Sequence, residues 1–398
     1  MSLDLNKVAP QIGQMVGSLR AGLAHRHELL NDALEAMHQA SGSLEALRTK
    51  VKESKTTWLV AGLDGGLDGR HAPTQPPSDF MVIATDGSHI EVDRHQAARC
   101  FLLNISHVVL CYGSHPQATL ESVPRLYADD KDLVMVPPDG HGREQLIEGN
   151  LLGAKRSVEE CRHLADLAAE ASRESPCLAL LDGTLMLWGL EPYPDFVTEE
   201  LLDKGLVREF ERLLRAGQGR KLAFGSYISA PRSTDVVNAL RVAACPHEIA
   251  NCDAYCGAGK RGCDSLAGMT DARLFEALLA PGERSDVFSS RSKIVAEHYL
   301  DHTINFFYLK LDDEVARVEI PRWVADDKEL LELMHCLVLD QCRRGQGYPV
   351  VLSEAHEQAV VTGADRQNFW QLVEAGLVEG AMPTPTTGKS RSKRTRWV

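Results

Sequence analysis

The sequence predicts an α/β protein, a mixed sheet flanked by helices with a helical arm at its N-terminus. Within residues 3–53 apolar side chains recur three or four positions apart, which is the period of an amphipathic helix. Short apolar runs between residues 81 and 126 follow one another closely, as in an antiparallel meander. After residue 142 such runs alternate with helical periodicity, which favours strands covered by helices.

The predicted arm comprises residues 1–55, ahead of the first core strand. Its apolar stripe either packs on the body of the protein or pairs with a second subunit or a partner. We expect a partner contact, because the stripe is long and lies outside the predicted sheet. The apolar positions are Val8, Ile12, Met15, Leu19, Leu23, Leu30, Leu34, Met37, Leu44, Leu47 and Val51.

The first core strand is predicted at residues 81–84, with an antiparallel neighbour at 100–112. Asp86 follows the first strand, and Gly87 and Ser88 are expected to open a turn that leaves the Asp86 carboxylate uncovered. The next elements are expected to be a strand at 119–126, a helix at 142–173, a strand at 177–182, a helix at 197–217, a strand at 221–229 and a helix at 235–244 capped by Ser233 or Thr234.

The last third of the chain continues the alternation of helices and strands. We expect a helix at 271–279, strands at 304–311 and 315–320, a helix at 327–344 and a short apolar strand at 349–352, with His356 just beyond it. The tail at 383–398 has few apolar residues and five basic residues among its last ten, so we expect it to be flexible.

Composition and charge narrow the class of protein. A chain of 398 residues can bury one large core or two ordinary ones. The net charge of −13 argues against non-specific coating of nucleic acid, although a local basic groove would still suit a nucleic-acid enzyme. No run approaches the ~18 apolar residues of a membrane span, and the first residues lack a signal-peptide pattern. We therefore expect a cytoplasmic protein without membrane contact.

Two similar motifs carry the candidate chemistry, one around Asp86 and one around Asp182. Each aspartate follows an apolar run and precedes a glycine and a small hydroxyl residue. An Asp-Gly pair after a strand is also a common turn signal, but its repetition favours a shared site. Two carboxylates at the ends of neighbouring strands could bind Mg²⁺ or Mn²⁺, which prefer hard oxygen ligands.

A glutamate from the 142–173 helix, Glu159 or Glu160, and His356 would complete a site of three carboxylates and one imidazole. Such a site can hold two divalent ions for phosphodiester cleavage. His356 could bind a metal or assist proton transfer; alternatively, it could be a histidine satisfied in the core or at a helix start.

Two competing motifs fail on inspection. LDGTL at 181–185 resembles the nucleophile loop of haloacid-dehalogenase-type phosphatases, but Leu180 occupies the position of the nucleophilic aspartate. TGKS at 387–390 resembles the end of a Walker A loop, but Pro383 replaces its first glycine and no strand precedes it. The sequence therefore predicts neither a phosphatase of that type nor an ATPase.

Five blocks of the sequence fall within a predicted domain at 78–376: TDGS at 85–88, LDGT at 181–184, YISAPRS at 227–233, VARVEIP at 315–321 and GYPVVLSEAHE at 347–357. In this order they resemble the NurA nucleases. The resemblance implies an RNase H-like core and a manganese-dependent nuclease that degrades DNA 5′ to 3′ and cuts single strands.

The resemblance also implies a site and partners. Asp86, Asp182 and His356 match the family's metal-binding residues, and the spacing favours Glu160 over Glu159 as the fourth. The implied cofactor is Mn²⁺, as two ions, with Mg²⁺ less effective. The implied assembly is a homodimer docked on a HerA-type hexameric ATPase that feeds it DNA, in end processing or in defence against foreign DNA. The alternative function is a non-catalytic subunit that clamps DNA or assembles the translocase.

Four cysteines lie in an expected insertion at 245–263: Cys245, Cys252, Cys256 and Cys263. Their spacing, C-x₆-C-x₃-C-x₆-C, lacks the C-x₂-C of zinc ribbons. They could hold Zn²⁺ or an iron–sulfur cluster, or they could be reduced structural thiols.

Two arginines in the matched blocks are candidates for DNA contact. Arg232 follows a proline in the third block, and Arg317 lies in the fourth. Each could bind a DNA phosphate or form a structural salt bridge.

Overall fold

The structure, a computed structural model, describes residues 4–92, 98–140, 142–257 and 261–382. It divides into two compact units. The first unit comprises Met1–Ala72, Ser229–Ser292 and Asn305–Arg317, within the described ranges. The second comprises Pro73–Ile228, Lys293–Ile304 and Val318–Val398, again within those ranges. The predicted flexible tail at 383–398 lies outside the described residues.

The elements alternate along the chain broadly as predicted. The helices are α1 (Leu5–Ala21), α2 (Leu23–Ser41), α3 (Leu44–Glu53), α4 (Asp130–Leu133), α5 (Asn150–Glu170), α6 (Asp195–Thr198), α7 (Val207–Ala216), α8 (Asp235–Ala243), α9 (Cys252–Tyr255), α10 (Asp271–Leu278), α11 (Lys293–His298), α12 (Arg322–Ala325), α13 (Lys328–Arg344), α14 (Val350–Ala359) and α15 (Gly363–Glu379). The strands are β1 (Arg70–His71), β2 (Phe80–Thr85), β3 (Gly87–Ile90), β4 (Phe101–Tyr112), β5 (Gln117–Tyr127), β6 (Val134–Met135), β7 (Gln145–Leu146), β8 (Cys177–Asp182), β9 (Leu222–Ile228), β10 (Arg284–Ser285), β11 (Phe288–Ser289), β12 (Ile304–Lys310) and β13 (Val315–Pro321). A π-helical segment, Glu199–Leu206, joins α6 to α7.

The second unit contains a meander followed by two parallel strands. β4 pairs antiparallel with β2 on one side and with β5 on the other. β8 then pairs parallel with β2, and β9 parallel with β8. The resulting order β5–β4–β2–β8–β9 is that of an RNase H-like sheet. The predicted fold class, an RNase H-like mixed sheet flanked by helices with helices at the N-terminus, is confirmed.

Both faces of this sheet are covered, which explains the unbroken apolar runs of β2 and β8. Ile83 and Ala179 lie in one core with apolar side chains of α5 and α7. Val82 and Leu178, which alternate with them, are also buried, and α13 and α14 contact the same sheet. The register in which β2 pairs with β8 sets the height at which Asp86 and Asp182 emerge.

The strand predicted at 349–352 is wrong, because the chain there forms helix α14. Val351, Leu352, Ala355 and Ala359 form the buried face of this helix. A short apolar run does not by itself distinguish a strand from a buried helical turn. His356 consequently lies within a helix rather than beyond a strand.

The helix predicted at 142–173 begins later, at Asn150. It follows Gly149, whose φ of +54° lies in the left-handed region that favours glycine. The residues before it include the short strand β7. The first turn of α5 is therefore set by a glycine that the helical period does not reveal.

The turn predicted at Gly87 and Ser88 is also wrong. β3 continues β2 in the same register along β4, with Ala84 opposite Val108 and Gly87 opposite Ile105. The pairing is disturbed only locally at Asp86, whose backbone N–H donates to the side-chain Oγ of Ser106 at 2.9 Å. Asp86 therefore lies within a distorted strand.

One part of the N-terminal apolar stripe is buried in the first unit, and the other part is exposed. Apolar residues of α2 and α3, among them Leu29, Met37 and Val51, are buried in a core with residues of α8 and α10. No residue of α1, all of which lies in the described part, is buried. Leu5, Ile12, Met15, Val16 and Leu19 of α1 are exposed. The helical prediction for residues 3–53 is confirmed from Leu5 onward, with breaks near residues 22 and 42–43.

The cap predicted for α8 comes from elsewhere in the first unit. Thr234 stands at the N-cap, but its side chain accepts no hydrogen bond from the backbone of the described helix, and the Ser233 hydroxyl bonds to that of Tyr308 instead. The Asp271 carboxylate instead accepts hydrogen bonds from the backbone of Val236 at 3.1 Å and Val237 at 2.8 Å. Burial raises the pKa of Asp271 to about 6. A cap delivered from 34 or 35 residues away leaves no local sequence signal.

Among the described residues, no helix combines the length and the apolar character needed to cross a membrane.

Candidate active site

Asp86 and Asp182 occupy equivalent positions on adjacent parallel strands of the second unit. Thr85, the last residue of β2, pairs with Leu181, so Asp86 follows β2 at the level at which Asp182 ends β8. Parallel neighbours in a sheet lie ~4.8 Å apart, which brings both carboxylates to one edge. The predicted convergence of the two Asp-Gly motifs is therefore present in the fold.

The Asp86 carboxylate has two fixed contacts. Oδ1 accepts a hydrogen bond from the backbone N–H of Gly87 at 2.7 Å. Oδ2 lies 3.0 Å from Nδ1 of His356, which reaches it from α14. Because Nδ1 faces this carboxylate, Nε2 is the ring nitrogen directed elsewhere, and the His356 side chain is 65% exposed.

The end of α14 is anchored to the sheet close to this pair. Ser88 Oγ donates to the backbone oxygen of Ala359, and Asn104 Nδ2 donates to the same oxygen at 3.0 Å. These contacts hold α14 against β3 and β4. The position of His356 thus depends on two polar side chains of the strands beneath it.

Asp182 ends β8 beside Tyr348, whose hydroxyl donates a hydrogen bond to its carboxylate. Burial raises the pKa of Asp182 and the charge of Asp86 adds to the rise, while the Tyr348 hydrogen bond opposes it. Burial and the nearby Asp182 charge also raise the pKa of Tyr348, so this phenol stays protonated and remains a donor. Its ring lies edge-on to the buried Tyr227, with centroids 5.5 Å apart.

Sequence reasoning missed Tyr348, although it stands in the same matched block as His356. A tyrosine ahead of a proline resembles many packed core residues in sequence. The available signal was its place in a block that already carried a polar site residue.

Glu160 reaches the site from α5. Thr85 Oγ1 donates to the Glu160 backbone oxygen at 2.8 Å, which fixes this turn of the helix on β2. Burial raises the pKa of Glu160 to about 7; Arg156 opposes the rise, while Asp86 and Asp182 add to it. Arg156 Nε lies 3.0 Å from Oε1 as an ion pair without hydrogen-bond alignment, so Oε1 is buried without a hydrogen-bond partner among the described residues.

Gly87 makes the approach of Glu160 to the strand possible. A Cβ atom at this position would lie 2.6 Å from Glu160 Oε1 and 2.8 Å from Ile105 Cδ1. Any larger residue would have to displace one of these groups. The glycine of the first motif therefore allows Glu160 to approach the strand, and it does not form a turn.

Glu159 and Glu160 line different cavities. Glu160 lines a cavity of about 660 Å³ together with Asp86 and Asp182. Glu159 lines another, of about 620 Å³, and pairs with Arg162 at 2.6 Å. The structure thus groups Glu160, and not Glu159, with the two aspartates.

The chemistry of these donors fits a hard divalent cation, because three carboxylates converge and one has a buried oxygen without a hydrogen bond. Among the described residues, however, no three His, Cys, Asp or Glu side chains are arranged as a group that could hold a metal ion. The carboxylates would therefore have to move together to coordinate one.

The four cysteines of the 245–263 segment are free thiols, of which Cys252 and Cys263 are buried. They belong to the described residues, among which no metal-holding group occurs. Binding of Zn²⁺ or of an iron–sulfur cluster by this segment stays a prediction.

The two candidate DNA-contact arginines, both in the first unit, have different environments. Arg317 is 3% exposed, and its Nη1 lies 2.6 Å from Asp235 Oδ2 while its guanidinium stacks over Phe306. That buried ion pair makes it unavailable to a DNA phosphate. Arg232 is exposed.

The chain matches known proteins in two comparisons. The family model of the NurA domain matches residues 80–361. Among solved structures, the NurA nuclease from Sulfolobus solfataricus is similar, with 12% sequence identity, 88% of this chain and 97% of that chain covered, and a TM-score of 0.46. No curated protein matches. Because the family model spans more than half of the chain, this protein belongs to the NurA family.

Proposed function

We propose that this protein is a metal-dependent DNA nuclease that hydrolyses phosphodiester bonds beside Asp86, Glu160, Asp182 and His356. One observation carries the proposal: acidic side chains from the ends of two adjacent parallel strands and from α5 line one cavity. Membership of the NurA family supports it. The expected activities are 5′–3′ exonuclease and single-strand endonuclease cleavage.

Asp86, Glu160 and Asp182 are the residues that would hold the cofactor, which we propose to be two Mn²⁺ ions with Mg²⁺ less effective. A divalent cation supplies charge that lowers the pKa of an attacking water and offsets the charge on the leaving oxygen. Mn²⁺ accepts an imidazole among oxygen ligands and an irregular geometry better than Mg²⁺ does.

The other polar residues of the site have positioning and proton-transfer roles in this proposal. Tyr348 orients the Asp182 carboxylate by donating to it, and this hydrogen bond opposes the rise that burial causes in the pKa of Asp182. Asp86 orients the His356 ring through Nδ1, which leaves Nε2 free to ligate a cation or to pass a proton to the leaving group.

Substitution of the aspartates tests this function. Asp86→Asn and Asp182→Asn should abolish cleavage of single-stranded DNA in Mn²⁺, since each removes a charged ligand of nearly the same shape. Binding of DNA should persist in both variants. Glu159→Gln is the matched control, because this glutamate lines the other cavity, and it should retain activity.

The wild-type protein could instead bind DNA and leave it uncut in Mn²⁺, both alone and with a HerA-type ATPase. That outcome would contradict the nuclease function and favour a DNA-clamping role. Retained cleavage in both aspartate variants would place the chemistry elsewhere in the chain.

We further propose a homodimer that docks on a HerA-type hexameric ATPase, in DNA end processing or in defence against foreign DNA. Family membership supports this assembly, and the exposed apolar side chains of α1 are candidates for the contact. Burying such side chains on association is favourable by ~25 cal/mol per Å².

Deletion of residues 1–21 should weaken self-association or ATPase binding while basal cleavage in Mn²⁺ stays within about two-fold, because α1 contributes no buried residue among those described. Sedimentation velocity and a pull-down with the ATPase measure the two effects. Deletion of residues 1–53 is the contrasting variant, and it should unfold the first unit because Leu29, Met37 and Val51 lie in its core. Unchanged association without α1 would locate the contact on another surface.

A further inference from the structure

Trp188 is an exposed aromatic residue in the cavity of the three carboxylates. It lines that cavity together with Asp86, Glu160 and Asp182, and 42% of its surface is exposed. Tryptophan is usually well buried, because it carries the largest apolar side chain. An exposed indole at this place therefore needs an explanation beyond packing.

The segment that leads to Trp188 is held by two buried side chains, Glu319 and Tyr299. Glu319 accepts hydrogen bonds from Thr184 Oγ1 at 2.8 Å and from the backbone N–H of Leu185 at 2.9 Å. The Tyr299 hydroxyl donates to the Leu185 oxygen and lies 2.9 Å from the Leu187 nitrogen, whose N–H donates to it.

The residues just before Trp188 are anchored in the core. Leu185, Met186 and Leu187 are all buried, so Trp188 is the position at which the chain returns to solvent. A rigidly mounted aromatic ring loses little conformational entropy when a ligand stacks on it.

Another part of the cavity lining suits the backbone of a nucleic acid. Asn150, Gly153 and Arg156 from the first turns of α5 also line it. That first turn contains no acidic residue, and the described N-cap, Gly149, carries no side chain to occupy the terminal N–H groups. Helix N-termini and arginine both favour phosphate oxygens. The lining of the cavity thus combines the exposed indole ring of Trp188 with groups that can bind a phosphate.

We propose that Trp188 is a stacking platform for an unpaired nucleobase of the DNA strand whose phosphate lies at the carboxylates. The proposal rests on the nuclease function and names the residue that would hold an unpaired base of a single strand or a frayed end. Stacking on an aromatic side chain tolerates every base, because each base has a π-face. A paired base inside a duplex is already stacked on both sides and cannot use the platform.

Kinetics on a short single-stranded oligonucleotide test the platform. Trp188→Ala should raise KM roughly ten-fold, equivalent to about 1.4 kcal/mol, while kcat stays within about two-fold. Trp188→Phe should recover most of the affinity, because it restores an aromatic face. Tyr255→Ala is the matched control, since Tyr255 is an exposed aromatic that does not belong to the lining of this cavity, and its KM should equal that of the wild type.

Fluorescence supplies a readout that a structural role would not produce. The chain has five tryptophans, so the signal of Trp188 is the difference between the wild type and Trp188→Phe. Single-stranded oligothymidylate should quench that difference signal, whereas the same strand made of abasic sites and a blunt duplex should leave it nearly unchanged. Equal quenching by the abasic strand would overturn the proposal.

The outcomes separate this proposal from the nuclease function beneath it. If the wild type cleaves DNA and Trp188→Ala keeps its KM, stacking is wrong and the nuclease stands. If no divalent cation supports cleavage but the base-dependent quenching is present, the nuclease is wrong and the platform stands as a binding site for single strands.

Discussion

The two Asp-Gly motifs have nearly the same sequence and follow different backbone paths. At Asp86 the chain continues as β3 in unbroken register, and Gly87 is needed because Glu160 approaches its Cα closely. At Asp182 the strand ends, and Gly183 takes a φ of +84° with no atom of the described residues within 4 Å of an added Cβ. Gly87 thus leaves space for a neighbouring side chain, whereas Gly183 adopts a backbone conformation that favours glycine.

The side chains that contact the two aspartates also differ. Asp86 faces an exposed histidine from α14, whereas Asp182 faces a tyrosine that stays protonated. The hydroxyl residues of the motifs also diverge, since Ser88 anchors α14 and Thr184 anchors the loop that carries Trp188. A repeated motif therefore marks equivalent positions on two neighbouring strands without implying equivalent roles.

The largest effect we expect concerns Glu160, on the Gly87 side of the comparison. Its pKa rises from 4.5 to about 7 on folding, so the folded protein binds the proton more tightly than the unfolded chain. This stabilisation is fully present below pH 4.5 and is lost as the pH rises through about 7. The loss is on the order of 3 kcal/mol.

Chemical denaturation in chelator measures that loss. The free energy of unfolding of the wild type should fall more steeply between pH 4.5 and 7 than that of Glu160→Gln, which cannot ionise. Taking the difference between the two proteins removes the contribution of Asp271, which lies in the first unit. Added Mn²⁺ should restore the wild type above this range. Identical slopes would mean that folding does not raise the pKa of Glu160.

The next effect concerns Gly87, where a methyl group should push Glu160 away from Asp86. A displacement of ~1 Å in a catalytic group can lower a rate about 10²-fold, so Gly87→Ala should reduce kcat by roughly that factor. Single-turnover cleavage of a labelled single strand measures kcat, and circular dichroism checks the fold. Gly87→Asn should be no better than Gly87→Ala, because space and not φ is limiting.

The sequence predicted the sheet well and the site in part. Uninterrupted apolar runs bounded by breakers located β2 and β8, since burial on both faces leaves that pattern in the chain. The sequence narrowed the helix glutamate of the site only to Glu159 or Glu160, because the choice between them depends on how α5 is rotated on β2. The first turn of the helix that carries His356 was predicted to be a strand. The cap of α8 by Asp271 leaves no signal in the sequence near α8. Trp188 gave no signal either, because exposure of an indole beside buried neighbours is a property of the folded loop.

The smallest expected effect concerns Gly183, where conformation and not space is limiting. Gly183→Ala should cost about 1 kcal/mol of unfolding free energy, because a Cβ atom disfavours positive φ even in open surroundings. Gly183→Asn should cost less, since asparagine tolerates the left-handed region better than other residues. Thermal denaturation of both variants in chelator measures the difference, and kcat should stay near that of the wild type. The opposite ranking, with Asn worse than Ala, would indicate that space is limiting at Gly183 too. The two glycines would then share one role, and the contrast between the motifs would reduce to the side chains that face their aspartates.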